Sequence, residues 1–204
     1  MSERAPAPAP DPAQDPGLRT RLVEVGIELV TAEGVQALSL REIARRAGVS
    51  HGAPRRYFPT HLDLLSAIAR RGFAALGAQV ADAVDGSQAG PRAQLTELGR
   101  RYLDFARDNP GMYELMFRHD LLESHRLGLR ETSMPLFRVL IDLVTRVRPP
   151  SGREPQAVAG ALWANLHGIA QLWGWGSLQL ATGADDIEPL LHAALDAHLG
   201  PEGR

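Results

Sequence analysis

Between Ser39 and Pro59 the chain sets two short helical patterns on either side of a glycine turn, and this run constrains the fold more than any other. Ser39 stands before Leu40, Arg41 and Glu42, a capping-box spacing that predicts a helix to about Ala47. Gly48 stops it. Gly48, Val49 and Ser50 then make a tight turn, and Ser50 is expected to cap a short third helix that ends at Tyr57, before Pro59. Leu40, Ile43, Ala44, Val49 and Phe58 are the side chains placed to hold the pair together. In a helix-turn-helix of this kind the first helix crosses a DNA backbone, and the second presents its exposed face to base edges in the major groove. The same corner also occurs as a purely structural part of larger bundles, and the local pattern leaves both readings open.

Helical periodicity continues on both sides. Leu18, Leu22, Val25 and Leu29 form one stripe of an amphipathic first helix ending near Gly34. After Thr60, the positions Leu65, Ile68, Phe73, Leu76, Val80 and Val84 predict a longer helix that leaves a small domain and enters a larger one. Residues 85–91 read as a loop. Leu95, Leu98, Tyr102 and Phe105 mark a helix that stops at Asn109, Pro110 and Gly111, and a short apolar helix follows from Met112 to Phe117. Leu136, Leu140, Leu143 and Val147 define another, ending before a break at residues 149–152. Residues 155–184 contain no Asp, Glu, Lys or Arg, but Gln156, Asn165, His167 and Gln171 argue against a membrane span. A helix without a charged face needs burial on more than one side, here a ligand cavity and a partner subunit. A last helix carries Ile187, Leu190, Leu191, Ala194 and Leu195 and would complete a two-fold dimer surface. No strand pattern competes, so the expected class is all-α with about nine helices: a three-helix helix-turn-helix domain followed by a helical bundle.

Length and charge fit that division. A chain of 204 residues allows a small domain joined to a larger one. The net charge is only -2, yet residues 16–76 hold nine arginines against five acids, a balance of +4, and the remainder carries -6. Cationic side chains that displace counterions supply the sequence-independent share of DNA affinity, so only the first part is suited to phosphate. Cysteine is absent, which excludes disulfides, zinc-thiolate sites and thiol nucleophiles and fits a reducing cytoplasm. Residues 1–15, rich in Ala and Pro and without the order of a signal peptide, read as a disordered tail.

The ordered run of an amphipathic first helix, Gly34, the helix from Leu40 to Ala44, the Gly48-Val49-Ser50 turn, and Tyr57, Phe58 and Pro59 before Leu64 and Leu65 resembles the bacterial TetR-type regulators. Their N-terminal domain, three helices and a connecting fourth, corresponds to residues 16–76, with the motif at 39–58. The resemblance implies phosphate contacts for Ser39, Arg41 and His61, and a DNA-facing side made of His51, Gly52, Ala53, Arg55, Arg56 and Tyr57, with Ser50 also among the DNA-binding residues. Arginine can donate two bonds to guanine, while serine, tyrosine and helix N-terminal amides suit phosphate oxygens. Three positions depart from the family pattern. Pro54 stands where an apolar non-proline is usual, and it lacks an amide for the first turn of a helix capped by Ser50. Arg55 replaces an aromatic and becomes a candidate base reader, and His61 replaces a lysine, which makes one phosphate contact dependent on pH.

Residues 77–204 would form the sensing and dimerisation domain. The run from Asn109 to Phe117, and Trp163, His167 and Gly168 in a W-x-x-x-H-G arrangement, resemble one TetR subgroup. The resemblance implies a bundle that binds an apolar or aromatic effector and dimerises through its last two helices. Aromatic and thioether surface with few polar handles suits a pocket, and the candidates are Tyr102, Phe105, Met112, Tyr113, Met116, Phe117, Phe137, Leu140, Trp163, His167 and Trp173. On spacing alone such a stripe is more often packed core, His167 fits a hydrogen-bonded core histidine better than a binding residue, and Trp173 to Gly176 also suit a dimer surface. The expectation is a cytoplasmic, ligand-released repressor acting as a homodimer on a palindromic duplex operator, with no cofactor, no metal and no membrane partner. The rival is a helical binding protein or enzyme whose helix-turn-helix is structural. Its chemistry is thin: His192, Asp196 and His198 fit a solvated helix face better than a metal site, and His119, Asp120 and His125 lack a partnered nucleophile. A nonspecific architectural DNA binder is disfavoured by the acidic, apolar second part.

Overall fold

The structure, a computed structural model, describes residues 16–85, 89–118, 120–121, 128–147 and 153–201. The expected tail at 1–15, residues 86–88 of the expected loop, His119, His125 and the break at 149–152 lie outside the described residues. Among those described there are ten α-helices and no strand: α1 (Pro16–Glu33), α2 (Leu40–Arg46), α3 (Ala53–Tyr57), α4 (His61–Asp85), α5 (Pro91–Asp108), α6 (Pro110–Met116), α7 (Leu129–Val147), α8 (Pro155–Gly174), α9 (Ser177–Thr182) and α10 (Glu188–Leu199).

The stripe on α1 buries Leu18, Leu22 and Leu29 against α2, α3 and α4. At the start of α2 the Ser39 hydroxyl accepts the Glu42 amide at 3.1 Å, a cap that contributes about 1 kcal/mol. The reciprocal half of the capping box is not made, because the Glu42 carboxylate is bound by Arg45 and Arg46 instead. α2 ends on Gly48 at φ +68°, a left-handed position suited to glycine. There Val49 N–H donates to the Ala44 carbonyl at 3.0 Å and Gly48 N–H to that of Arg45 at 3.2 Å, a Schellman motif.

Ser50 does not cap α3 as expected. Its carbonyl, not its hydroxyl, accepts the Ala53 amide at 3.0 Å, and His51 and Gly52 form a turn. Pro54 is the physical reason. With no N–H of its own it is tolerated only in the first helical turn, so the helix begins at Ala53 and is five residues long.

α4 is 25 residues, roughly 37 Å at 1.5 Å per residue. Its first half buries Leu64, Leu65 and Ile68 beneath the helix-turn-helix, and its second half carries Phe73, Leu76 and Val80 into the larger bundle. α5 and α7 pack along it, α8 lies across α5 and α7, and α10 closes on α5 and α8. Arg100 with Glu188, and Arg92 with Asp196 and the Gly200 carbonyl, tie α5 to α10. α6 turns back onto α1, and there Gly111 is required: a Cβ would lie 2.5 Å from the Val30 carbonyl oxygen. The charge-free stretch is two helices rather than one, breaking after Gly174. Buried side chains form one core from Leu18 to Leu199. Among the described residues no helix is long and apolar enough to cross a membrane.

Candidate nucleic-acid interface and adjoining cavity

The α2–α3 corner displays Ser39, Arg41, Ser50, His51, Gly52, Arg55 and Arg56 as exposed residues, with Tyr57 half-buried. Ala53 differs: it is 9% exposed and packs into the core, so its side chain cannot face outward. The arginines fall into two groups. Arg45 binds Glu42, and Arg46 binds both Glu42 and Glu33, an arrangement that stiffens the corner and offsets its charge. Hydrogen bonds from Arg45 and then Arg46 hold the Glu42 carboxyl down at about 2. Arg41 and Arg55 have no ion pair among the described residues and remain available to a polyanion. Behind the corner, the Arg19 guanidinium lies 5.2 Å from the centroid of the Phe58 ring.

His61 opens α4 with its Nε2 3.0 Å from the Leu38 carbonyl. Nε2–H must donate there, so a neutral ring leaves Nδ1 with a lone pair that cannot donate to phosphate. Only the imidazolium can hold Leu38 and a phosphate oxygen together.

A cavity of about 350 Å³ opens between α4, α5, α7 and α8. Phe73, Leu76 and Val80 of α4, Leu98 and Tyr102 of α5, Phe117 after α6, Ser133, Met134, Leu136, Phe137 and Leu140 of α7, and Trp163 of α8 line it. None carries a formal charge. Its volume and composition are those of small-molecule sites.

Behind one wall, Tyr102 and Tyr113 place their hydroxyls 2.9 Å apart, and both lie close to His167 Nδ1, at 2.9 and 2.7 Å. With the ring proton on Nε2, Nδ1 accepts from one phenol, which accepts in turn from the other. Burial pushes the Tyr102 phenol up to about 12, against hydrogen bonds to Tyr113 and Trp163, and burial also raises Tyr113. Burial lowers His167. All three are therefore neutral near pH 7, and the cluster adds hydrogen-bonding capacity without charge.

The candidate metal residues are engaged elsewhere. His192 faces Glu188 at 3.3 Å, Asp196 is bound by Arg92, and His198 lies beside Asn165. Among the described residues no group of three such side chains is placed to hold a metal ion.

Two family matches cover this architecture: "Bacterial regulatory proteins, tetR family" at residues 22–68 and "Tetracyclin repressor-like, C-terminal domain" at residues 95–198. The chain belongs to the TetR family. Solved structures similar to this TetR-family chain include a protein of unknown function from Rhodococcus sp. RHA1, at 27% identity and TM-score 0.77, covering 93% of this chain and 97% of that one. Another is the multidrug binding protein EbrR complexed with imidazole, at 25% identity and TM-score 0.62, covering 98% and 100%. A third, a putative TetR-family transcriptional regulator from Rhodococcus sp., shares the fold at 17% identity and TM-score 0.68, covering 90% and 99%. No curated protein matches the chain.

In this TetR-family DNA-binding regulator, five of the pocket candidates line the cavity: Tyr102, Phe117, Phe137, Leu140 and Trp163. Tyr113 and His167 stand behind Tyr102. Phe105, Met112 and Met116 are buried in the core, the two methionines against Gly72. Trp173 does not line the cavity, and its carbonyl accepts Gln179 at 3.1 Å. Sequence reasoning missed Phe73, Leu76 and Val80, although their helical spacing was visible. Three large apolar residues so far along α4 exceed what the small domain can cover, and that surplus was the available signal.

Proposed function

We propose that this TetR-family regulator is a repressor whose hold on its operator is released when a small, uncharged, largely apolar or aromatic effector fills the cavity. The observation that carries the reading is the position of α4: Phe73, Leu76 and Val80 line the cavity while Leu64, Leu65 and Ile68 of the same helix support the helix-turn-helix. An effector that fits best when α4 is displaced favours the form in which the reading heads no longer match DNA, and this differential affinity is the whole of the coupling.

Residues 16–76 act as the DNA-binding domain and 77–204 as the sensing and dimerisation domain. Arg55 and Arg56 read bases, while Ser39, Arg41, Ser50, His51, Gly52, Tyr57 and His61 hold the backbone. Two copies pair through the charge-free stretch of α8 and α9 together with α10. The charge-free stretch that supports this reading leaves Trp175 71% and Leu180 90% exposed in a single chain. A two-fold dimer calls for a palindromic operator. The protein acts in the cytoplasm and performs no catalysis. The similarity to EbrR, whose name describes multidrug binding, supports a small-molecule effector.

The test is fluorescence anisotropy with duplex DNA flanking the protein's own gene, at two salt concentrations and against unrelated competitor, followed by a panel of neutral aromatic compounds. Saturable, competitor-resistant binding with a steep salt dependence, weakened by a compound that leaves the dimer intact, is the expected result. A compound that releases DNA only by dissociating the dimer contradicts the coupling through α4.

A further inference from the structure

Three arginines outside the DNA-facing corner converge on a second concavity. Arg19 of α1 and Arg70 and Arg71 of α4 line a depression of about 270 Å³ whose wall contains no carboxylate among the described residues. None of the three has a hydrogen bond or ion pair to an acid among the described residues, whereas Arg92, Arg100, Arg101, Arg107 and Arg118 are all paired. Like charges gathered in a concave site repel one another and focus a field that an oxyanion relieves, and guanidinium forks match phosphate and carboxylate geometry. Operator phosphate is not the natural occupant. Arg70 lies nine residues beyond His61, roughly 14 Å along the helix from the end that meets DNA.

The depression does not stop at the arginines. It shares Ala74 and Thr132 with a trough of about 320 Å³ along the seam of α4 and α7, walled by Gly77, Ala81, Val84 and Val139. Among the described residues this trough has no charged lining residue. Gly77 leaves it open, since a Cβ there would meet only Leu136 Cδ2, at 3.9 Å. From Ala74 to Val84 it follows roughly 15 Å of helix, a length spanned by about a dozen methylenes.

We propose that the α4–α7 seam binds an amphipathic anion, its phosphate or carboxylate head on Arg19, Arg70 and Arg71 and its alkyl tail in the trough. The site is separate from the interior cavity, with Phe73, Val80 and Leu136 standing between the two. Because Arg19 also lies over Phe58, next to the recognition helix, an anion that draws Arg19 away competes with that contact.

The experiment is calorimetric titration of the full chain with dodecyl phosphate below its micelle-forming concentration, with 1-dodecanol and inorganic phosphate as tail-only and head-only arms. The same titrations are run on Arg70→Ala/Arg71→Ala and on Gly77→Leu, which fills the trough from a position that does not itself line the interior cavity. The expected result is that the intact chain prefers dodecyl phosphate to either arm by at least about tenfold, and that each variant loses this margin while keeping its helical circular dichroism. Absence of dodecyl phosphate binding overturns the proposal, as does equal binding by all three proteins, which would place the tail in the interior cavity. An arginine pair that proves necessary for DNA binding but not for dodecyl phosphate overturns it as well, since the arginines would then serve the operator.

Discussion

Arg55 and Arg56 both follow Pro54, and the late start of α3 that Pro54 imposes decides what each can reach. Arg55 is exposed and has no ion pair among the described residues, so Arg55→Ala should relax base preference at one operator position, costing about 1–3 kcal/mol of discrimination there. Competition titrations with single-base operator variants check this, and an unchanged preference profile would remove Arg55 from base reading. His167 makes a second residue-level prediction, about stability. Burial depresses its folded-state pKa below the ordinary value of 6.5, so between the depressed value and 6.5 the unfolded chain binds more protons. Its contribution is complete above about 6.5 and is lost on acidification through that window. His198, lowered by burial and by Arg153, acts in the same direction. The drop in melting temperature from about pH 7.5 to about pH 5 should therefore be smaller in His167→Gln, whose side-chain oxygen still accepts from a phenol. An identical drop would mean that His167 does not titrate with unfolding. Such details were only partly legible in the sequence. Arg55 was visible as a departure from the family pattern, whereas the inward turn of Ala53 depended on a helix start that a serine in capping position obscured.

Among the helices, legibility followed the strength of the apolar period. α1, α4 and α5 lie where their stripes place them, and α2 where the Ser39 cap starts it. α3 was shifted by Pro54, and the break between α8 and α9 was hidden because a charge-free stretch shows no polar face to interrupt. The cavity was half legible for a related reason: α5, α7 and α8 contributed recognisable aromatics, while α4 looked like a connector and supplies a wall. α6 is seated closely on α1, where Gly111 meets Val30. Gly111→Ala forces α6 off a backbone oxygen that cannot yield, and should cost about 1–3 kcal/mol in urea unfolding with an unchanged m-value. A cost within experimental error would mean that α6 is loosely seated on α1.

At the scale of the molecule, a basic reading head and an acidic bundle share α4 and one continuous core. The bundle's uncharged outer surface is the part a single chain leaves unsatisfied. Trp175→Glu/Leu180→Glu places two carboxylates there and should shift the protein from dimer towards monomer in sedimentation velocity, with helicity retained. A variant that remains dimeric would exclude this surface from the interface. The central claim is that two such chains together read a symmetric DNA sequence. Selection of bound duplexes from a random-sequence pool tests it whatever the target sequence is. The expected outcome is enrichment of a two-fold symmetric site whose half-sites lie about one helical turn apart or a multiple of it, bound by a dimer. Recovery of no preferred sequence, with binding that simply fades as salt rises, would contradict it.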